Sequence, residues 1–169
     1  MNNTKETTSI ALGVSSIIAG GICIFLLSSL FPIPGSKYML MAPYLSMVLY
    51  IMQSKIASKY TILKFGAVFS LIMSIVNFFM GMAILATTLL TELVIFFIKD
   101  NHKKALYGSI FFATFTGVCA TLITKLFIDG LMDNMPYYWI IAIAIVCSIF
   151  GVAGTNLAKK ILKNMNIST

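Results

Sequence analysis

The sequence predicts an all-α integral membrane protein, a bundle of six transmembrane helices with both termini on the cytoplasmic side, and three observations carry that prediction. Hydrophobic residues make up 59% of the chain and charged residues 10%, whereas a soluble domain carries charge on about a quarter of its residues. At roughly 20 residues per crossing, a chain of this length holds about six spans with short loops and leaves little for a soluble part. The lysines also sort by side. With the N-terminus inside, ten of the twelve fall on the cytoplasmic face and only Lys37 and Lys125 on the other, which is a strong positive-inside signal. A single domain over residues 1–169 follows.

Span one covers residues 10–31 and stops at Pro32 and Pro34, which lack the backbone donor and fix φ. The polar residues ahead of it, with one Lys and one Glu, do not have the layout of a removable signal peptide. Span two, 38–53, is short for a crossing and carries Pro43 in its first half, so a break or strong kink is expected there. A lysine-bearing turn over 54–60 leads to span three, 61–80, with Lys64 near its entry and Asn77 near its exit. Gly81 marks the turn into span four, 82–98, which holds Thr87, Thr88, Thr91 and Glu92. The loop 99–104 contains the only histidine, His102, and span five, 105–128, has Lys125 near its far end. An acidic loop over 129–136 then leads through Tyr137, Tyr138 and Trp139 into span six, which ends in Gly151, Gly154, Ala158 and a basic tail.

The net charge of +7 comes from twelve lysines against five acids with no arginine. These lysines flank helix ends, where they orient spans, and nucleic acid is not an expected partner. Cys23, Cys119 and Cys147 lie in apolar segments at no metal or redox spacing and read as small core residues. No cofactor is implied. The chain carries no H-E-x-x-H, G-x-S-x-G or P-loop pattern, so it is not expected to be an enzyme and has no nucleotide site with which to energise transport.

Two features carry chemistry. Ala11, Ser15 and Ala19 recur every fourth residue on one helix face, with Ser16 and Gly20 on the adjoining row. A second backbone can approach closely along such a stripe, whether from another helix of the chain or from a partner. Glu92 is the one acid well inside an apolar run, and a carboxylate at membrane depth costs roughly 2.5–3.5 kcal/mol unless it faces protein or water. It reads either as a substrate or ion ligand beside Thr87, Thr88 and Thr91, or as a structural carboxylate near the cytoplasmic end. Lys125 and Asp129, four apart, either form a solvated pair or line an outward mouth with Lys37, Tyr38, Asn77 and Trp139. The Tyr137 to Trp139 trio suits an interfacial belt.

Six short-looped spans, a small-residue stripe in the first helix, a proline-bearing first outer loop, the stretch 81–99 with its late acid and the ending 150–163 together resemble the substrate-binding S components of energy-coupling factor (ECF) transporters, most of all the bacterial S-component-like proteins of the Trep_Strep type. The resemblance implies a multi-pass subunit of the bacterial cytoplasmic membrane that takes up a vitamin or related micronutrient. It implies docking through Ala11, Ser15 and Ala19 on a transmembrane coupling subunit driven by two ATPase subunits, with Ser15 standing where alanine is usual. The pocket would draw on Tyr38, Asn77, Thr88, Glu92, Lys125, Asp129 and Trp139, capped by residues 33–38 and 129–136. Two rivals stand beside this reading: a small autonomous ion-coupled transporter or channel using Glu92, and a non-transport membrane protein whose stripe binds an unrelated helix.

Overall fold

The computed structural model describes residues 2–28, 30, 35–56, 60–127 and 136–165, and every regular element among them is an α-helix: α1 (Asn2–Ser28), α2 (Ser36–Lys55), α3 (Thr61–Val76), α4 (Phe78–Ile95), α5 (Asn101–Phe127) and α6 (Tyr138–Asn164). In hydrocarbon the backbone must satisfy its own donors and acceptors, which a helix does locally. Four helices, α1 from Thr4 onward, α4, α5 and α6, are long and apolar enough to cross a membrane. At 16 residues α3 reaches roughly 24 Å, short of a hydrocarbon layer about 30 Å thick.

Contacts fix how the helices run. Glu6 pairs with Lys64 at 2.7 Å, joining the N-terminal ends of α1 and α3. Gly13 faces Met52 and Gly20 faces Tyr44, Thr87 reaches the Phe115 carbonyl and Glu92 reaches Lys104, and Ser109 meets Thr155 while Gly117 faces Cys147, so α1 with α2, α4 with α5 and α5 with α6 are antiparallel. The lysines collect accordingly. Lys5, Lys55, Lys64, Lys99, Lys103, Lys104, Lys159, Lys160 and Lys163 lie at one end of the bundle, and Lys37 and Lys125 at the other.

The inner pair is α2 and α5, in contact with each other and each with two further helices. Large apolar side chains of α1, α3, α4 and α6 face outward, among them Leu12, Ile75, Leu89 and Ile149. That inverts the soluble pattern and supplies the surface a bilayer requires. Because α2 is sheathed by α1, α5 and α6, it tolerates Tyr44, Ser46, Tyr50 and Gln53 and is the least lipophilic of the long helices. The main core joins Ile17 of α1, Leu49 of α2, Phe65 of α3, Ile95 of α4 and Phe112 of α5, with the two rings edge-on at 6.0 Å.

Several expectations are corrected. Helix α1 starts at Asn2 rather than near Ile10, because a helix nucleated in the apolar run extends at low cost into flanking polar residues and the Glu6–Lys64 pair anchors it. Helix α2 passes unbroken through Pro43, and Gly154 of α6 sits so close that a Cβ there would strike the Pro43 carbonyl and the Ser46 hydroxyl. The turn between the third and fourth helices falls at Asn77, not Gly81. Asn77 is extended at φ −156°, and its side-chain oxygen accepts from the Phe79 and Met80 N–H groups at 2.9 and 3.4 Å, an N-cap that stops one helix and starts the next. Gly81 instead lets the hairpin close on Ser74, and its carbonyl accepts from buried Ser70 at 2.8 Å. Cys119 and Cys147 are core residues, but Cys23 is exposed on α1. Residues 32–34, 57–59 and 128–135, with the expected loop prolines and both loop aspartates, lie outside the described residues.

Two outcomes follow for thermal unfolding in a fixed detergent. Gly154→Val forces the α2–α6 contact apart and should destabilise by about 1–3 kcal/mol, while Leu89→Ala on the outer face stays within about 0.5 kcal/mol. Asn77→Ala removes the cap and should cost about 1 kcal/mol, with Asn77→Ser recovering most of it.

Candidate functional site

At the lysine-rich end, four helix termini converge on a cavity of about 170 Å³. The C-terminal turns of α2 and α4 bring Gln53 and Glu92, and the first turns of α3 and α5 bring Thr61, His102 and Lys104. Asp100 sets the α5 turn: its carboxylate accepts from the His102 N–H at 2.9 Å and its carbonyl from the Lys104 N–H at 2.8 Å. The His102 ring stands edge-on to Tyr50, 6.4 Å between centroids.

Glu92 is only 8% exposed. Lys104 Nζ stands 3.8 Å from its Oε1, close enough to neutralise and too far to donate a hydrogen bond. The backbone at Leu63 also faces the carboxylate, yet neither oxygen closes a hydrogen bond, and Gln53 Nε2 is likewise buried without a partner. An unsatisfied buried group costs about 1–3 kcal/mol, and more when charged. This cluster is therefore the most polar-hungry place among the described residues.

The threonines below Glu92 differ. Thr87, Thr88 and Thr91 donate to the Ala83, Ile84 and Thr87 carbonyls of their own helix at 2.7–2.8 Å. Thr88 also packs where a Cβ on Gly66 would otherwise stand. Their hydroxyl protons are engaged by backbone, and the stripe holds α4 against its neighbours.

The seven residues singled out for a pocket separate along the bundle. Glu92 and Asn77 sit at opposite ends of α4, roughly 22 Å apart at 1.5 Å per residue, and Asn77 serves as the helix cap. Tyr38, Lys125 and Trp139 gather at the far end from Glu92. The Tyr38 hydroxyl lies 3.5 Å from Thr124 Oγ1, Lys125 Nζ stands 3.9 Å over the Tyr137 ring, and Trp139 packs on Ala42, Ala113, Ile143 and Cys147. Asp129 lies outside the described residues. Gln53 and Lys104 escape sequence spacing because they join Glu92 in the cavity wall from other helices. The available signal was that Glu92 lies about two turns from the lysine loop.

The α1 stripe splits into two rows. The Ser16 and Gly20 row meets α2: Tyr44 donates to the Ser16 carbonyl at 2.8 Å, its oxygen lies 2.9 Å from Ser16 Oγ, and its ring occupies the space a Gly20 Cβ would need, although Ser16 itself stays exposed and Gly20 is half-buried. Ala11, Ser15 and Ala19 are exposed, with none of the described helices covering them.

A double-mutant cycle tests the Glu92 neighbourhood. Lys104→Met leaves the carboxylate without its counter-charge and should lower stability by about 1–3 kcal/mol in detergent unfolding. Glu92→Gln alone should be near neutral, and the double substitution should recover most of the Lys104→Met loss. Strict additivity of the two changes contradicts the pairing.

No protein-family model, curated protein or solved structure matches this chain.

Proposed function

We propose that the chain is a six-span S component of an ECF-type importer in a bacterial cytoplasmic membrane, with both termini inside, binding a vitamin or related micronutrient and depending on a coupling subunit and two ATPases for energy. One observation carries the reading: Ala11, Ser15 and Ala19 are all exposed, while the adjoining row already holds the Tyr44 side chain, with Ser16 still exposed beside it. Among the four helices of spanning length, α1 is also the least covered, and among the described residues its main contacts are with α2 and α3. Small residues on an otherwise greasy face admit a partner backbone closely.

Charge sorting is in keeping with this placement, since the lysine-rich end faces the cytoplasm in a positive-inside arrangement. The opposite end then faces outward with Tyr38, Lys125 and Trp139, groups suited to a heterocyclic ligand that carries polar substituents. Neither an enzymatic role nor a nucleotide site belongs to this subunit.

A second reading, autonomous ion-coupled transport, draws on the Glu92 carboxylate, which is buried without a hydrogen bond. Reconstitution separates the two: the purified chain alone in liposomes should show no ion flux, and a flux abolished by Glu92→Gln favours the second reading.

The main test is assembly. Ala11→Leu and Ala19→Leu replace outward-facing methyl groups and should leave thermal stability unchanged within about 0.5 kcal/mol. Co-purification of a coupling subunit and ATPases from the native membrane should fall to background for either variant. Retention of the complex by both, or absence of any such complex from the wild-type chain, overturns the proposal.

A further inference from the structure

The cavity around Glu92 has a charge pattern more specific than its size. Its wall holds one carboxylate and one ammonium 3.8 Å apart, and the two Glu92 oxygens and Gln53 Nε2 make no hydrogen bond. A ligand bearing only positive charge would compete with Lys104 for Glu92 and leave an excess cation in a confined space. A ligand bearing only negative charge would be drawn to Lys104 and repelled by Glu92. A molecule carrying both charges close together satisfies each wall group and leaves the site neutral, with its ammonium donating to Glu92 and its oxyanion accepting from Gln53 Nε2 and Lys104. The remaining wall includes Ile62, Ile95 and Ala105, an apolar side for a short alkyl group.

Size agrees. A volume of about 170 Å³ is comparable to that of an engineered cavity of about 150 Å³ that takes up benzene, room enough for a small α-amino acid. We propose that this cavity is a binding site for a small zwitterion in which a primary ammonium adjoins an oxyanion, held by Glu92, Gln53 and Lys104. The site is separate from the α1 flank and from the Tyr38, Lys125 and Trp139 end, so it stands or falls without the importer reading. The same chemistry is offered by a free α-amino acid and by an ethanolamine phospholipid headgroup.

Titration calorimetry on the full chain in phosphatidylcholine nanodiscs tests it, since the quaternary headgroup has no N–H to donate. L-Alanine is the probe, with methylammonium and propionate as carriers of one charge each. Alanine should bind at millimolar concentration and the single-charge probes should not. Glu92→Gln and Gln53→Leu should each weaken alanine about tenfold or more, the loss of one charge-assisted contact, while Ala11→Leu leaves it unchanged. Should Glu92→Gln fail to fold, Gln53→Leu carries the comparison. Loss of the alanine signal when phosphatidylethanolamine replaces phosphatidylcholine also supports the site and assigns it to the headgroup. The proposal is overturned if methylammonium binds as well as alanine, if the Glu92 and Gln53 variants bind alanine like wild type, or if the wild-type chain neither takes up alanine nor differs from Glu92→Gln in thermal stability when phosphatidylethanolamine replaces phosphatidylcholine.

Discussion

A hydrocarbon exterior is the constraint from which the rest of this structure follows. Leu12, Ile75, Leu89, Ile149 and their neighbours face outward, so polar groups along the spans find partners within the chain or remain unsatisfied. Most find them close by. Buried hydroxyls at Thr87, Thr91, Thr121 and Thr155 bond the carbonyl four residues back, which satisfies each donor without a water molecule. Against that background the open valences of Glu92 and Gln53 stand apart, and they occur together at the mouth of one cavity.

The same constraint explains the use of small residues. With no hydrophobic drive between helices in lipid, close approach and packing must hold them together. Gly66 against Thr88, Gly81 against Ser74 and Gly154 against Pro43 are such approaches, and the Ser16 and Gly20 row does the same for Tyr44. The row of Ala11, Ser15 and Ala19 has the same chemistry and stays exposed among the described residues.

Much of this was legible in the sequence, and the failures have physical causes. Composition and apolar runs located every helix, because the bilayer imposes length and hydropathy directly. Boundaries slipped where local chemistry overrides hydropathy: Asn77 caps a helix inside an apolar run that reads as continuous, and Gly81, which reads as a turn, is a packing residue. Pro43 suggested a broken second helix, yet the sheath around α2 holds it intact. Glu92 was found by its cost alone. Its companions Gln53 and Lys104 were not, since tertiary packing rather than spacing brings them together, and the seven candidate pocket residues divide between the two ends for the same reason.

Whether the open row of α1 is a docking face can be read directly by spin labelling. With Cys23, Cys119 and Cys147 replaced by serine, a label introduced by Ser15→Cys reports oxygen accessibility in nanodiscs, with Leu89→Cys as a lipid-facing reference. Position 15 should match position 89 in the isolated chain and become shielded in the complex purified from the native membrane, while position 89 stays accessible. A label at 15 already shielded in the isolated chain, or one left unchanged by the native complex, contradicts the assignment of this face to a partner.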